Sequence, residues 1–139
     1  MRCYAEFFGA EAMKRYGKLL KTWKIEAIIP VPMYKPKQRK RGYNQAEEFA
    51  RSLAKASGIK VDTKLLIRRK DTVPMKTLSK QQRYENLLKA FKVSSKPTYK
   101  RVLVVDDIFT TGSTIDACAR VLRQNGVENV YGLCIASGS

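Results

Sequence analysis

The chain predicts an α/β fold: a mainly parallel central sheet of about four or five strands, flanked by helices, in one domain. Three observations carry that expectation. The segments "RVLVVDD" from Arg101 and "NVYGLCIA" from Asn129 are short, continuous apolar runs, the pattern of strands covered on both faces. Between them Ile115, Cys118, Ala119 and Leu122 recur at helical spacing, giving strand, helix, strand in order. With 139 residues and 44% hydrophobic content, the chain suits a single globular unit that buries roughly two thirds of its unfolded surface.

The remaining elements follow in turn. Ala5, Phe8, Ala12, Tyr16, Leu19 and Trp23 make an apolar helical stripe among lysines. "IEAIIPVP", Ile25 to Pro32, is a β-branched run stopped by two prolines and reads as a buried strand. A basic loop with Lys35, Lys37, Arg39, Lys40 and Arg41 follows. A helix is expected to start near Asn44, with Glu47 as a capping-box partner, Ala46, Phe49, Ala50 and Leu53 as its core face and Gly58 as its end. "IKVDTKLLI", Ile59 to Ile67, alternates enough for one strand, and Arg68 to Leu78 reads as a polar loop broken by Pro74. Ser79 caps a helix that shows Tyr84, Leu87, Leu88 and Phe91 on one side, and "SSKPTYK" is a turn-rich connection. Gly126 ends the last helix.

Composition narrows the chemistry. The formal net charge is +16, which points to anionic partners: nucleic acid, phosphorylated metabolites or a membrane surface. The absence of histidine removes Ser-His-Asp and Cys-His catalysis and histidine-ligated zinc. Apolar runs are too short to span a membrane, nothing resembles an export signal, and Cys3, Cys118 and Cys134 are too scattered for a disulfide framework or a metal knuckle. A cytoplasmic protein without membrane insertion is expected. Cys118 and Cys134 read as inert core thiols, and Tyr43 and Tyr84 as packing residues in preference to base-stacking ones.

The stretch "VLVVDDIFTTGST", Val102 to Thr114, carries the function. In an open parallel sheet, ligands sit beyond the carboxyl ends of the strands, where Asp106 and Asp107 fall. Thr110, Thr111, Gly112, Ser113 and Thr114 then turn into a helix whose free amides and dipole favour a phosphate. Gly112 allows close backbone approach, and the four hydroxyls add donors. Two carboxylates beside such a cradle suit vicinal sugar hydroxyls or a magnesium ion, so a phosphorylated ribose is the expected ligand. Simple capping needs neither the acid pair nor the Gly-centred hydroxyl run. A nucleotide P-loop needs a lysine after the glycine. A phosphoryl-receiver domain needs about four more strand–helix units, whereas 32 residues follow Asp107.

This motif resembles the phosphoribosyl-pyrophosphate motif of type I phosphoribosyltransferases. "IIPVPMYKPKQRKRGYNQAEEFAR" and "RRKDTVPMKTLSKQQRYENLLKAF" further resemble the ComF family of competence-associated phosphoribosyltransferase-like proteins, over essentially the whole chain. The resemblance implies the type I phosphoribosyltransferase fold with a flexible flap loop. It implies that Asp106 and Asp107 bind the ribose 2′ and 3′ hydroxyls, directly or through magnesium, and that Thr110 to Thr114 hold the 5′-phosphate. Lys37, Arg39 and Arg41 would neutralise the pyrophosphate. The loop from Arg68 to Leu78 would be the flap, bringing Arg69 or Lys70 to the leaving group.

The sequence also departs from these relatives. Thr110 stands where purine-salvage members have a third acid, which argues against a 6-oxopurine acceptor. Tyr34 and Met75 stand where many family members have His and Gln. The family usually begins with a cysteine-rich zinc module, which Cys3 does not replace. Two classes of function follow. One is a magnesium-dependent transferase that binds phosphoribosyl pyrophosphate and passes phosphoribose to a nitrogen nucleophile. The other is a non-catalytic accessory protein of DNA uptake that holds single-stranded DNA, or a sensor of the ribosyl pyrophosphate. A homodimer is compatible with either.

Overall fold

A computed structural model describes residues 17–33, 45–69, 79–109 and 113–137. Chain order is α1 (residues 17–22), β1 (Ala27–Pro30), α2 (Gln45–Ser57), β2 (Lys60–Val61), β3 (Leu66–Arg68), α3 (Lys80–Ala90), β4 (Phe91–Val93), β5 (Arg101–Phe109), α4 (Ser113–Gln124) and β6 (Asn129–Ser137). Strands β2-β1-β5-β6 form one four-stranded sheet, parallel throughout, and β3 and β4 form a separate antiparallel pair.

Period-two alternation along the strands sorts their side chains into two cores. Ile28, Leu103 and Val105 pack with Leu20 of α1 and Phe49, Ala50 and Leu53 of α2. On the opposite face, Ile29, Val102 and Val104 pack with Ile115, Cys118 and Leu122 of α4. Leu65, Leu66, Ala90 and Phe91 join this second core, so the β3–β4 pair lies on the α4 side. Helices therefore cover both faces, as the continuous apolar strands require.

Two helices end in the same way, and the comparison is instructive. At α4, Val127 N–H donates to Leu122 O and Gly126 N–H to Arg123 O, both 3.1 Å, with Gly126 at φ 111°. At α1, Ile25 N–H donates to Leu20 O and Lys24 N–H to Lys21 O, again both 3.1 Å. This is the Schellman arrangement, which favours glycine at the left-handed position. At α1 that position is held by Lys24, with φ 57°. Lys24→Gly is expected to raise the unfolding free energy by about 1 kcal/mol, because a side chain in this conformation costs roughly that much; urea unfolding reads the change.

Two expectations need correction. The single strand from Ile59 to Ile67 is divided between two sheets. Asp62 turns the chain: Oδ1 accepts from Lys64 N–H at 2.9 Å and Leu65 N–H at 3.0 Å, while Oδ2 accepts from Tyr99 O–H at 2.9 Å. The hydrogen-bonding partners that would have continued β2 are thus replaced by a side chain. Phe91, placed on the face of the third helix by its spacing, instead opens β4 with extended φ −106° and ψ 144°. The start of that helix is as expected: Ser79 and Gln82 form a reciprocal capping box. Asn44 lies outside the described residues; Glu47 pairs with Arg51 at 3.2 Å, and Gly58, at φ 77°, follows α2 as expected.

Asp62 also makes the fold acid-sensitive. Burial pushes its carboxyl upward, but the Lys64 amide, the Tyr99 hydroxyl, the Leu65 amide and the nearby Lys60 charge together outweigh burial and hold it below the ordinary value. A depressed carboxyl contributes stability that is complete above the unfolded-state value of about 3.9 and is lost as pH falls through the lower folded value. Asp62→Asn is expected to lower the melting temperature at neutral pH and to flatten its fall on acidification below about pH 4. Parallel melts of both proteins across that range check this; curves with the same acid slope would refute it.

Candidate functional site

The centre of the sheet sets the site. Pro30 pairs with Val105, and Val31 N–H donates to Val105 O at 2.8 Å, so β1 ends beside Asp106. On the other side Asp106 is in register with Cys134 of β6. Asp106 therefore lies in the carboxyl-terminal half of the central strand, just past the end of β1, half-buried, and two residues beyond Val104 on the face that α4 covers. Asp107 follows within β5. α4 begins at Ser113, at this same edge, and Thr114 in its first turn is half-buried. The first turn of a helix leaves N–H groups without intrahelical acceptors and carries positive partial charge. β5 runs three residues past Asp106, to Phe109, before the segment that leads into α4. Thr110, Thr111 and Gly112, which join the two, lie outside the described residues.

Cys118 reports the local field. Its thiol is fully buried, and burial pushes its pKa well above the ordinary value; the Asp106 charge pushes it further up, and Arg68 opposes. Cys118 is thus a protonated core thiol, as expected, and Cys134 is likewise buried.

The basic residues divide. Lys37, Arg39, Arg41 and Lys70 lie outside the described residues. Arg69 closes the base of the excursion between β3 and β4: its N–H donates to Ala90 O at 2.9 Å and its Nε–H to Lys89 O at 3.0 Å. Arg68 is the residue that sequence reasoning passed over. It shares a strand face with buried Leu66, is half-buried, and holds its guanidinium 5.3 Å from the ring centroid of Phe91, its cross-strand partner. The available signal was the two-residue spacing from Leu66, which is visible only once β3 is separated from β2. Tyr84 packs against the core on the α4 side, in keeping with a packing role.

Among the described residues, no three Asp, Glu, Cys or His side chains cluster to hold a metal. Magnesium commonly keeps several waters and binds through one or two carboxylates together with a ligand's phosphates. The single described carboxylate at this edge, Asp106, fits an ion held in that manner and not one held in an all-protein cage.

The phosphoribosyl transferase domain model matches residues 39–138. The chain belongs to that family. Competence protein F of Haemophilus influenzae is 40% identical over 116 residues, covering 80% of this chain and 51% of that protein. DNA utilization protein YhgH of Escherichia coli O6:H1 is 30% identical over 110 residues, covering 79% of this chain and 48% of that one. These similarities identify a ComF-type member of the family, and the chain spans about half the length of these relatives. Purine phosphoribosyltransferase from Pyrococcus horikoshii has the same fold, with a TM-score of 0.58 at 18% identity, over 99% of this ComF-type chain and 79% of the archaeal one. Among the described residues no helix is long and apolar enough to cross a membrane.

Proposed function

We propose that this ComF-type domain binds 5-phosphoribosyl 1-pyrophosphate with magnesium and transfers phosphoribose to a nitrogen nucleophile, releasing pyrophosphate. The observation that supports the reading is the position of Asp106: late in the central strand, just past the end of β1 and three residues before β5 gives way to the segment that leads into α4. Asp106 and Asp107 grip the ribose hydroxyls. The segment from Thr110 to Thr114 takes the 5′-phosphate on backbone amides and hydroxyls. Lys37, Arg39, Arg41, Arg69 and Lys70 are assigned to the pyrophosphate side.

Cleavage of the anomeric C–O bond leaves the bonding electron pair on the departing pyrophosphate and builds positive charge on the ribose ring. The nitrogen lone pair forms the new bond at C1′. The chain's fixed cations stabilise the leaving group electrostatically, and the carboxylates hold the sugar for attack. Magnesium, when bound, adds Lewis-acid neutralisation of the pyrophosphate oxygens. With Thr110 in place of a third acid, a 6-oxopurine is not the proposed acceptor.

The net charge of +16 supports a second reading, in which the domain holds single-stranded DNA as a non-catalytic accessory of uptake. The competence and DNA-utilization names of its relatives point the same way.

Calorimetry with phosphoribosyl pyrophosphate and magnesium, followed by a pyrophosphate-release assay against candidate bases and amines, tests the first reading. Saturable binding with release supports transfer. No binding of the ribosyl pyrophosphate, together with single-strand binding that collapses steeply with salt, replaces it with the second.

A further inference from the structure

In the parallel sheet all four strands begin at one edge. α1, α2 and α4 lead directly into β1, β2 and β6, so their last turns lie at this amino edge too. Those turns carry Lys21, Lys55 and Arg123. Lys24 lies in the connection into β1, Lys60 opens β2, and Lys100 directly precedes β5. All six cations are exposed. They flank the sheet on both sides, because α1 and α2 cover the face of Leu103 and α4 covers the face of Val104.

The carboxylates of this edge do not offset them. Glu26 accepts from the main-chain N–H groups of Lys100 at 2.9 Å and Arg101 at 3.1 Å. Among the described residues, none of the six cations is within ion-pair distance of a carboxylate. The helix dipole accounts for Lys21, Lys55 and Arg123. Lys24 shares in that dipole, but at a left-handed position, φ 57°, where glycine carries less strain. Lys60 Nζ is held 4.9 Å from the Tyr99 ring centroid, and the Tyr99 hydroxyl donates to Asp62 at 2.9 Å. Lys100 projects from main chain tied on both sides: its N–H to Glu26, and its carbonyl to the N–H groups of Glu128 at 3.0 Å and Asn129 at 2.9 Å. Like charges fixed on rigid backbone repel one another and attract a polyanion.

The exposed residues among them include Thr22, Thr98, Asn125 and Asn129, hydrogen-bonding groups with no apolar tip to enter lipid. A chain of phosphates that meets cations on both sides of a sheet edge has to bend around it. Duplex DNA, with a persistence length of about 150 base pairs, resists that bend. A single strand follows it.

We infer that the amino edge of the sheet is the surface on which this domain holds single-stranded nucleic acid. The inference deepens the second reading above, on which it rests, by giving the strand a place apart from the ribose site. About 20 Å of β5 separates Lys100 from Asp106, so strand and ribosyl pyrophosphate do not compete.

Fluorescence anisotropy of a labelled oligothymidylate, titrated across salt, tests it. Lys24→Gln, Lys60→Gln and Lys100→Gln combined are expected to weaken binding roughly tenfold and to lower the salt slope by about two, since each lost phosphate contact removes about 0.7. Equal charge removed from α3, by Lys80→Gln, Arg83→Gln and Lys89→Gln, is expected to change Kd by less than about twofold. That helix leads into β4 and not into the four-stranded sheet. Lys24→Gly, whose unfolding free energy is expected to rise, should still weaken strand binding about two- to threefold, a loss that instability cannot produce. Calorimetry with phosphoribosyl pyrophosphate and magnesium should give the edge triple variant the wild-type Kd within about twofold, and saturation with that ligand should leave strand affinity unchanged. Equal losses from the two triple variants, or no loss from the edge triple, overturn the inference while wild-type strand binding keeps the second reading. A wild type that binds no single strand overturns both. Tighter binding to duplex or to phosphatidylserine vesicles overturns the choice of partner, and competition with the ribosyl pyrophosphate overturns the separation of the two sites.

Discussion

Replacing Asp106 and Asp107 together by asparagine is expected to abolish measurable binding of phosphoribosyl pyrophosphate in the presence of magnesium. The amide is nearly isosteric with the carboxylate, so what is removed is charge and acceptor strength. Hydrogen bonds to a charged group contribute about 1.5–3 kcal/mol each, and two carboxylates gripping a pair of vicinal hydroxyls or an ion stand to lose several such contacts. A loss of about 3–6 kcal/mol corresponds to a factor of roughly 10² to 10⁴ in Kd. The single change Asp106→Asn should fall short of that, weakening binding by about ten- to a hundredfold. Neither change touches the main-chain ladder that places the strand, since Asp106 keeps its register with Cys134 through backbone groups. Both variants should therefore unfold within about 1 kcal/mol of wild type in urea. Unchanged affinity by calorimetry in a folded double variant would refute the assignment of this edge as the ribose site.

The placement of Asp106 and Asp107 late in a central strand was legible because everything that defines that strand is local. A continuous apolar run identifies a doubly covered strand, and the residues after it must lie at the carboxyl edge of a parallel sheet whatever the partners are. Helix ends were legible for the same reason: Ser79 with Gln82, and Gly58 and Gly126, act within a few residues of themselves. Lys24 was not, because the chain turns left-handed there without the glycine that usually announces it.

The division of the segment from Ile59 to Ile67 depends on Tyr99, 37 residues beyond Asp62. No period within the segment can encode a partner at that separation. Arg68 was obscured by the same error. Read as part of a loop opening at Arg68, it looked like one of three consecutive basic residues, and its neighbours Arg69 and Lys70 were the ones assigned to the ligand. Once β3 pairs with β4, Arg68 falls on the inward face with Leu66, opposite Phe91. Alternation inside a three-residue strand carries too little signal to separate it from a charged loop.

Phe91→Ala is expected to be the most destabilising of the substitutions considered, by about 3–5 kcal/mol. Phe91 is 3% exposed and belongs to the cluster with Leu66, Ile115, Cys118 and Leu122. It sits where α3 becomes β4, its N–H donating to Leu88 O, and its ring carries the Arg68 guanidinium. Truncation removes the burial of a whole ring and leaves a cavity between the β3–β4 pair and α4 that the β5 side cannot fill, because Val102 and Val104 are already packed there. Against a typical total of about 5–15 kcal/mol, that loss brings the domain close to its unfolding threshold. Phe91→Leu restores most of the apolar contact without the aromatic face, so it should recover much of the stability and still loosen Arg68. Urea unfolding separates the two effects from each other: a cost for Phe91→Ala below about 1 kcal/mol would mean that this ring does not fasten the pair to the helix.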